Sequence, residues 1–309
     1  MGRPAGRTIG QRLESLRYAY LRRGVSTVVG ALGPARAARL ATLLARGVYD
    51  LNPPGRRVAE ARLATAFGAG LSDATRDAIV RTMYEHIGRF WVEAVFLSRR
   101  LRERSWRRFV TIDSALPVER LVADHPRVIA ATAYFGNPGV AAYALGQLFR
   151  PVHVVVDLLA DPAARAWQER LYRMGQVCPV TVERAARELP ERLSRAGAVM
   201  LVAEHRRRRG GGVAAPFLGE SGLYQPTAGL LAEWCGVPVV PVLCRRRPGP
   251  FAFEVWLGRP VRAADAAATT AEMLAQLEGQ IRRWPEQYLW SIPADGPGVA
   301  GDSRGVSAG

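Results

Sequence analysis

RVIAATAYFGNPGVAAYALGQLF, residues 127–149, holds a change of pattern that decides the fold. Val128 to Thr132 is a short β-rich run, bounded by a turn that contains Gly136 and Asn137. Asn137 suits a helix N-cap and Pro138 the first helical position, so a helix from Gly139 to Phe149 is expected to follow directly. A strand, a short loop and a capped helix form the repeating unit of a layered α/β domain.

The same alternation continues outward. Val152 to Val156, Val199 to Ala203, Val237 to Leu243 and Phe251 to Leu257 read as further strands. Between them, 163–174, Ala185 to Ala196 and Thr227 to Trp234 read as helices. This predicts an α/β fold with a mostly parallel central sheet flanked by helices, and working residues in loops at the carboxyl ends of strands. On the amino-terminal side, residues 11–48 and a helix from Ala74 to about Phe96, opened by Ser72 and Asp73, carry apolar residues at helical spacing. The expected organisation is a flexible stretch 1–10, a helical lead-in 11–120 with a possible membrane-docking face, an α/β domain 121–294, and a disordered Gly, Ser and Ala-rich tail 295–309.

Composition narrows the partners. The 43 basic residues are all Arg, which we read as a consequence of base composition, but the net charge of +16 still sets a field that attracts anionic surfaces. No nucleic-acid-binding motif accompanies that charge, so an anionic membrane surface is the expected partner and nucleic acid is not. The three cysteines, Cys178, Cys235 and Cys244, have no metal-ligand spacing and read as buried thiols of a reducing compartment; no metal or bound cofactor is expected. Without a signal-peptide core or a membrane-spanning apolar run, the chain is expected in the cytoplasm, peripheral on the inner face of the cell membrane.

Five segments, in order, resemble the bacterial lipid A lauroyl/myristoyl and phosphatidylinositol mannoside acyltransferases, part of the lysophospholipid acyltransferase-like superfamily. They are Thr132 to Gly139; Asp157 to Pro162 with Trp167; Val202 to His205 with Pro216 to Gly219; Pro226 to Val242; and Trp284 to Trp290. The resemblance covers roughly residues 11–294. It implies transfer of a fatty acyl group from an acyl-CoA or acyl carrier protein thioester to a lipid, glycolipid or other small acceptor.

The family's loop carries a His that takes the acceptor's proton, and an acid five positions on that orients it. Here those positions are Tyr134 and Gly139. A phenol, with a reference pKa of about 10, donates at neutral pH where an imidazole accepts. Loss of general base catalysis costs on the order of 10²- to 10⁴-fold. Three readings therefore stand: a replacement base, with Glu204 and His205 joining Tyr134 as the catalytic candidates; an amine acceptor that needs only positioning; or a non-catalytic acyl- or lipid-binding relative. Gly136, Asn137 and Gly139 of the loop, Asp157, Arg206, Arg207 and Phe217 are the positions expected to meet substrate. Asp157 stands where the family has a phosphate-binding Arg, and the run from Arg206 offers replacement guanidinium groups. His86, within a helix, His153, within a strand, and His125, before the first core strand, lie away from that loop. Phe90, Trp91, Phe96, Trp284, Tyr288 and Trp290 fit either an acyl channel or ordinary core packing, and Glu286 and Gln287 read as a brace for the last helix.

Overall fold

The computed structural model describes residues 9–156, 175–195, 197–206 and 211–292. The lead-in begins with α1 (Ile9–Leu51), bent at Gly33, whose positive φ of 73° precedes Pro34. Then come α2 (Pro53–Phe67), N-capped by Asn52, and α3 (Asp73–Arg100), whose Thr75 amide donates to the Ser72 hydroxyl at 3.2 Å. Ala37, Ala41, Ala45 and Tyr49 form the buried stripe of α1. A Cβ at Gly88 of α3 would come within 2.8 Å of the Ala41 carbonyl oxygen, so the two helices approach closely only because neither side carries bulk there. Beside that stripe and behind it, Leu43, Leu44, Val48 and Leu51 of α1 are exposed.

The α/β layers contain β1 (Val110–Ser114), α4 (Val118–Asp124), β2 (Arg127–Thr132), α5 (Pro138–Leu148), β3 (Val152–Val156) and β4 (Val177–Thr181). These are followed by α6 (Val182–Arg195), β5 (Gly197–Val202), the hairpin β6 (Val213–Phe217) and β7 (Glu220–Tyr224), α7 (Thr227–Cys235), β8 (Val239–Arg246), β9 (Phe253–Leu257) and α8 (Ala266–Arg283). Seven strands form one sheet in the order β1-β9-β8-β2-β5-β3-β4, parallel at every pairing but β8 with β9. The fold is thus the mostly parallel α/β sheet with a helical lead-in that the sequence predicts. β1, within the stretch 11–120, pairs with β9 in the main sheet.

Alternation along β2 divides the core. Ile129 and Ala131 face a cluster with Leu189 and Leu193 of α6 and Met273, Leu274 and Leu277 of α8, whereas Val128 and Ala130 face one built on α5. Asn137 and Pro138 do open α5, with the Val140 amide donating to Asn137 Oδ1 at 3.2 Å. Elements of the α/β part that were not expected from sequence also appear, among them β1, α4, β4 and the β6–β7 hairpin. Asp157, the stretch 163–174, Arg207 and the tail 295–309 lie outside the described residues.

Candidate active site

Register places the site. β2 and β5 are parallel neighbours with Thr132 opposite Val202, and the Ala203 amide extends the ladder to Thr132 O at 2.9 Å. Two residues further on, past the carboxyl ends of both strands, Tyr134 meets Glu204. The Tyr134 amide donates to Glu204 Oε1 at 2.5 Å, and the Tyr288 hydroxyl donates to Glu204 Oε2. Both carboxylate oxygens are therefore engaged. Burial raises the Glu204 carboxyl, and the two hydrogen bonds pull the other way.

His205 follows at once. Its Nε2 lies 3.1 Å from the Tyr134 hydroxyl, with ring centroids 5.6 Å apart. Burial lowers the imidazole below its ordinary value, which favours a neutral ring at neutral pH. A neutral ring with a bare Nε2 accepts from the phenol. The Gln225 amide donates to His205 O at 3.0 Å and fixes the backbone.

The cleft around this pair is lined by Arg62 of α2, by Phe217, Leu218 and Tyr224 of the hairpin, and by Tyr288 to Trp290. Arg62 donates to Trp290 O at 3.2 Å, to Ile292 O at 2.5 Å and to the Tyr288 hydroxyl at 3.2 Å. Arg206 bonds the Tyr224 hydroxyl at 3.2 Å and pairs with Glu220, so its guanidinium is already occupied. Little space remains: about 20 Å³, roughly the room one water needs. The Tyr134 and His205 rings stand at its wall.

The rest of the loop has a structural task. Gly136, at φ 55°, donates its amide to Gln287 O at 2.8 Å, and a Cβ there would come within 1.8 Å of Cys244 O. Asn137 is fully buried and donates to Glu93 Oε2 at 2.7 Å, while Arg246 donates to both Glu93 oxygens at 2.8 and 2.9 Å. Gly139 lies near the Leu97 side chain. None of these three lines the cleft. Phe217 does, while Asp157 and Arg207 cannot be placed among the described residues.

The segment after α8 straps the loop down. Leu289 donates to Tyr134 O at 2.9 Å, and Gln287 exchanges two hydrogen bonds with the Arg246 backbone at 2.6 and 2.9 Å. Gln287 therefore braces β8 and the Tyr134 loop, not the last helix as expected. Tyr288 and Trp290 are core residues with ring centroids 4.9 Å apart, whereas Trp91 is exposed. Elsewhere, His125 ends α4 before β2, His153 of β3 lies 3.3 Å from an Arg192 nitrogen, and His86 is held within α3.

Residues 9–293 match the family model described as bacterial lipid A biosynthesis acyltransferase. The chain belongs to that family. Membership implies acyl transfer to a lipid-type acceptor. No curated protein matches the chain by sequence. Among the described residues of this family member, no helix is long and apolar enough to cross a membrane, and no group of three His, Cys, Asp or Glu side chains could hold a metal ion.

Sequence reasoning did not single out Arg62, Tyr224 or Glu220. Arg62 is one of 43 basic residues and only the packing of α2 against the C-terminal strap brings it to the cleft. Tyr224 and Glu220 depend on a hairpin that the Gly and Ala-rich sequence hides.

Proposed function

We propose that the protein transfers a fatty acyl group from an acyl-CoA or acyl carrier protein thioester to a lipid, glycolipid or other small acceptor, with His205 as the base in place of the family's loop His. The observation that carries this reading is the 3.1 Å approach of His205 Nε2 to a hydroxyl at the carboxyl edge of the sheet, within the reach a general base requires. In the net reaction a C–O bond to the acceptor, or a C–N bond to an amine, forms and the C–S bond of the thioester breaks. The proton taken by Nε2 then goes to the leaving thiolate. Glu204 is a positioning residue in this scheme, since it holds the Tyr134 amide and the Tyr288 hydroxyl.

Membrane docking belongs to the same reading: Leu43, Leu44, Val48 and Leu51 give α1 an apolar face, and the net charge of +16 draws it to an anionic surface. The test uses the full chain with lauroyl- and palmitoyl-CoA and the matching acyl carrier proteins, against lysolipid, glycolipid and amine acceptors, with thiol release as the readout. Acceptor-dependent turnover is expected, falling on the order of 10²- to 10⁴-fold in His205→Gln. The engagement of His205 Nε2 by the chain's own Tyr134 hydroxyl favours a second reading, a non-catalytic acyl- or lipid-binding relative. Tight acyl-CoA binding with no turnover on any acceptor would decide for it.

A further inference from the structure

The hydroxyl beside the proposed base belongs to the protein itself. His205 Nε2 is 3.1 Å from Tyr134 Oη, a direct hydrogen-bond contact with no place for another hydroxyl between them. Covalent acyl transfer needs a nucleophile within hydrogen-bond reach of a base, and a fixed backbone holds it there. Tyr134 meets each condition: its amide is gripped by Glu204 at 2.5 Å, and its carbonyl accepts from Leu289 at 2.9 Å. Arg62 lines the same cleft and adds a positive charge to its wall, with its hydrogen bonds directed to two carbonyls and a phenol.

We propose that Tyr134 is the first acyl acceptor, so that the reaction passes through an O-acyl-tyrosine on the enzyme. The proposal rests on the thioester-to-acceptor reading above and adds a route to it. In the first half, Tyr134 Oη attacks the thioester carbonyl carbon; the C–O bond forms and the C–S bond breaks. The phenolic proton passes to His205 Nε2 and then to the thiolate, which leaves as free thiol. In the second half, the acceptor hydroxyl or amine attacks the aryl ester. Its proton passes through Nε2 to the departing phenolate, restoring Tyr134. An aryl ester is an activated acyl group, because the phenolate is a far better leaving group than an alkoxide. The sequence needs no further reactant, and departure of the free thiol before the acceptor reacts clears part of a narrow site.

The experiment incubates the full chain with lauroyl-CoA, palmitoyl-CoA or the matching acyl carrier proteins, with no acceptor, and records free thiol and intact protein mass. The expected result is a burst of thiol stoichiometric with enzyme and a single acyl adduct that maps to Tyr134. Hydroxylamine should discharge the adduct as a hydroxamate. Tyr134→Phe should melt near the parent temperature and form no adduct, and His205→Gln should form it on the order of 10²- to 10⁴-fold more slowly. Acceptor-dependent thiol release without any adduct, undiminished in Tyr134→Phe, would overturn the acyl-tyrosine and leave the transfer reading standing. An adduct mapped to a cysteine would overturn it too. Absence of thiol release with every donor and acceptor would overturn both.

Discussion

Glu93, Arg246 and Asn137 show what a buried charge does for the loop that carries Tyr134. The Arg246 guanidinium and the Glu93 carboxylate are both buried, and Asn137 closes the cluster while its Oδ1 caps α5. Removing one partner leaves the other charged and desolvated, which costs about 3–5 kcal/mol, whereas replacing both by apolar groups is often near neutral. Glu93→Met and Arg246→Met should each lose stability in this range by urea unfolding, and the double variant should lose much less than their sum. His205 makes a prediction of another kind. Burial lowers its imidazole, so the proton that would silence a base binds only below the ordinary His value of 6.5. The rate at limiting substrate should therefore hold down to that pH and then fall with a slope of one proton; an acid limb centred above 6.5 would contradict the assignment.

Helix α3 carries a titration of its own. His86 Nδ1 is buried without a hydrogen-bond partner among the described residues, and burial, with Arg246 and Arg89 nearby, pushes the imidazole down to about 3. The unfolded chain binds this proton near 6.5 and the folded chain does not until about 3, so stability falls as pH drops between these values, by about 1.4 kcal/mol per unit. His86→Leu should flatten the pH dependence of Tm across that window while leaving the neutral value close to the parent's. Elements with local signals were legible in the sequence: β2 and α5 by a β-rich run and the Asn137–Pro138 cap, α3 by Ser72, and β8 by its valines. The others answer to context. β4 contains Pro179 and survives because it is an edge strand, where a missing N–H is tolerated. The β6–β7 hairpin has few β-branched residues and turns through Leu218 at φ 53°, a conformation that no pattern of apolar residues announces. Glu204 and His205 were legible as candidates from their place at the end of a core strand, but their meeting with Tyr134 depends on β2 and β5 being neighbours, and the Arg62 contact required α2 to be placed against the C-terminal strap.

At the scale of the whole molecule, charge and shape have to act together at an interface. A net charge of +16 attracts any polyanion, and its reach is about 8 Å at physiological salt, so charge alone gives binding that fades as salt rises. The exposed Leu43, Leu44, Val48 and Leu51 add a contact that salt does not screen, provided that they enter the headgroup region. The two contributions predict different dependences. On vesicles of phosphatidylcholine with phosphatidylglycerol, the parent should bind strongly at low salt and retain a residual affinity at high salt. Leu43→Ser with Leu44→Ser should keep the salt-dependent part and lose the residue, because both side chains are already exposed and their removal leaves the Ala37–Ala41–Ala45 packing on α3 untouched. Pure phosphatidylcholine vesicles should bind the parent weakly, since each Arg near an anionic surface adds about 1 kcal/mol that a neutral surface withholds. Equal binding of the parent and the double variant at every salt concentration would mean that α1 does not present this face to the bilayer.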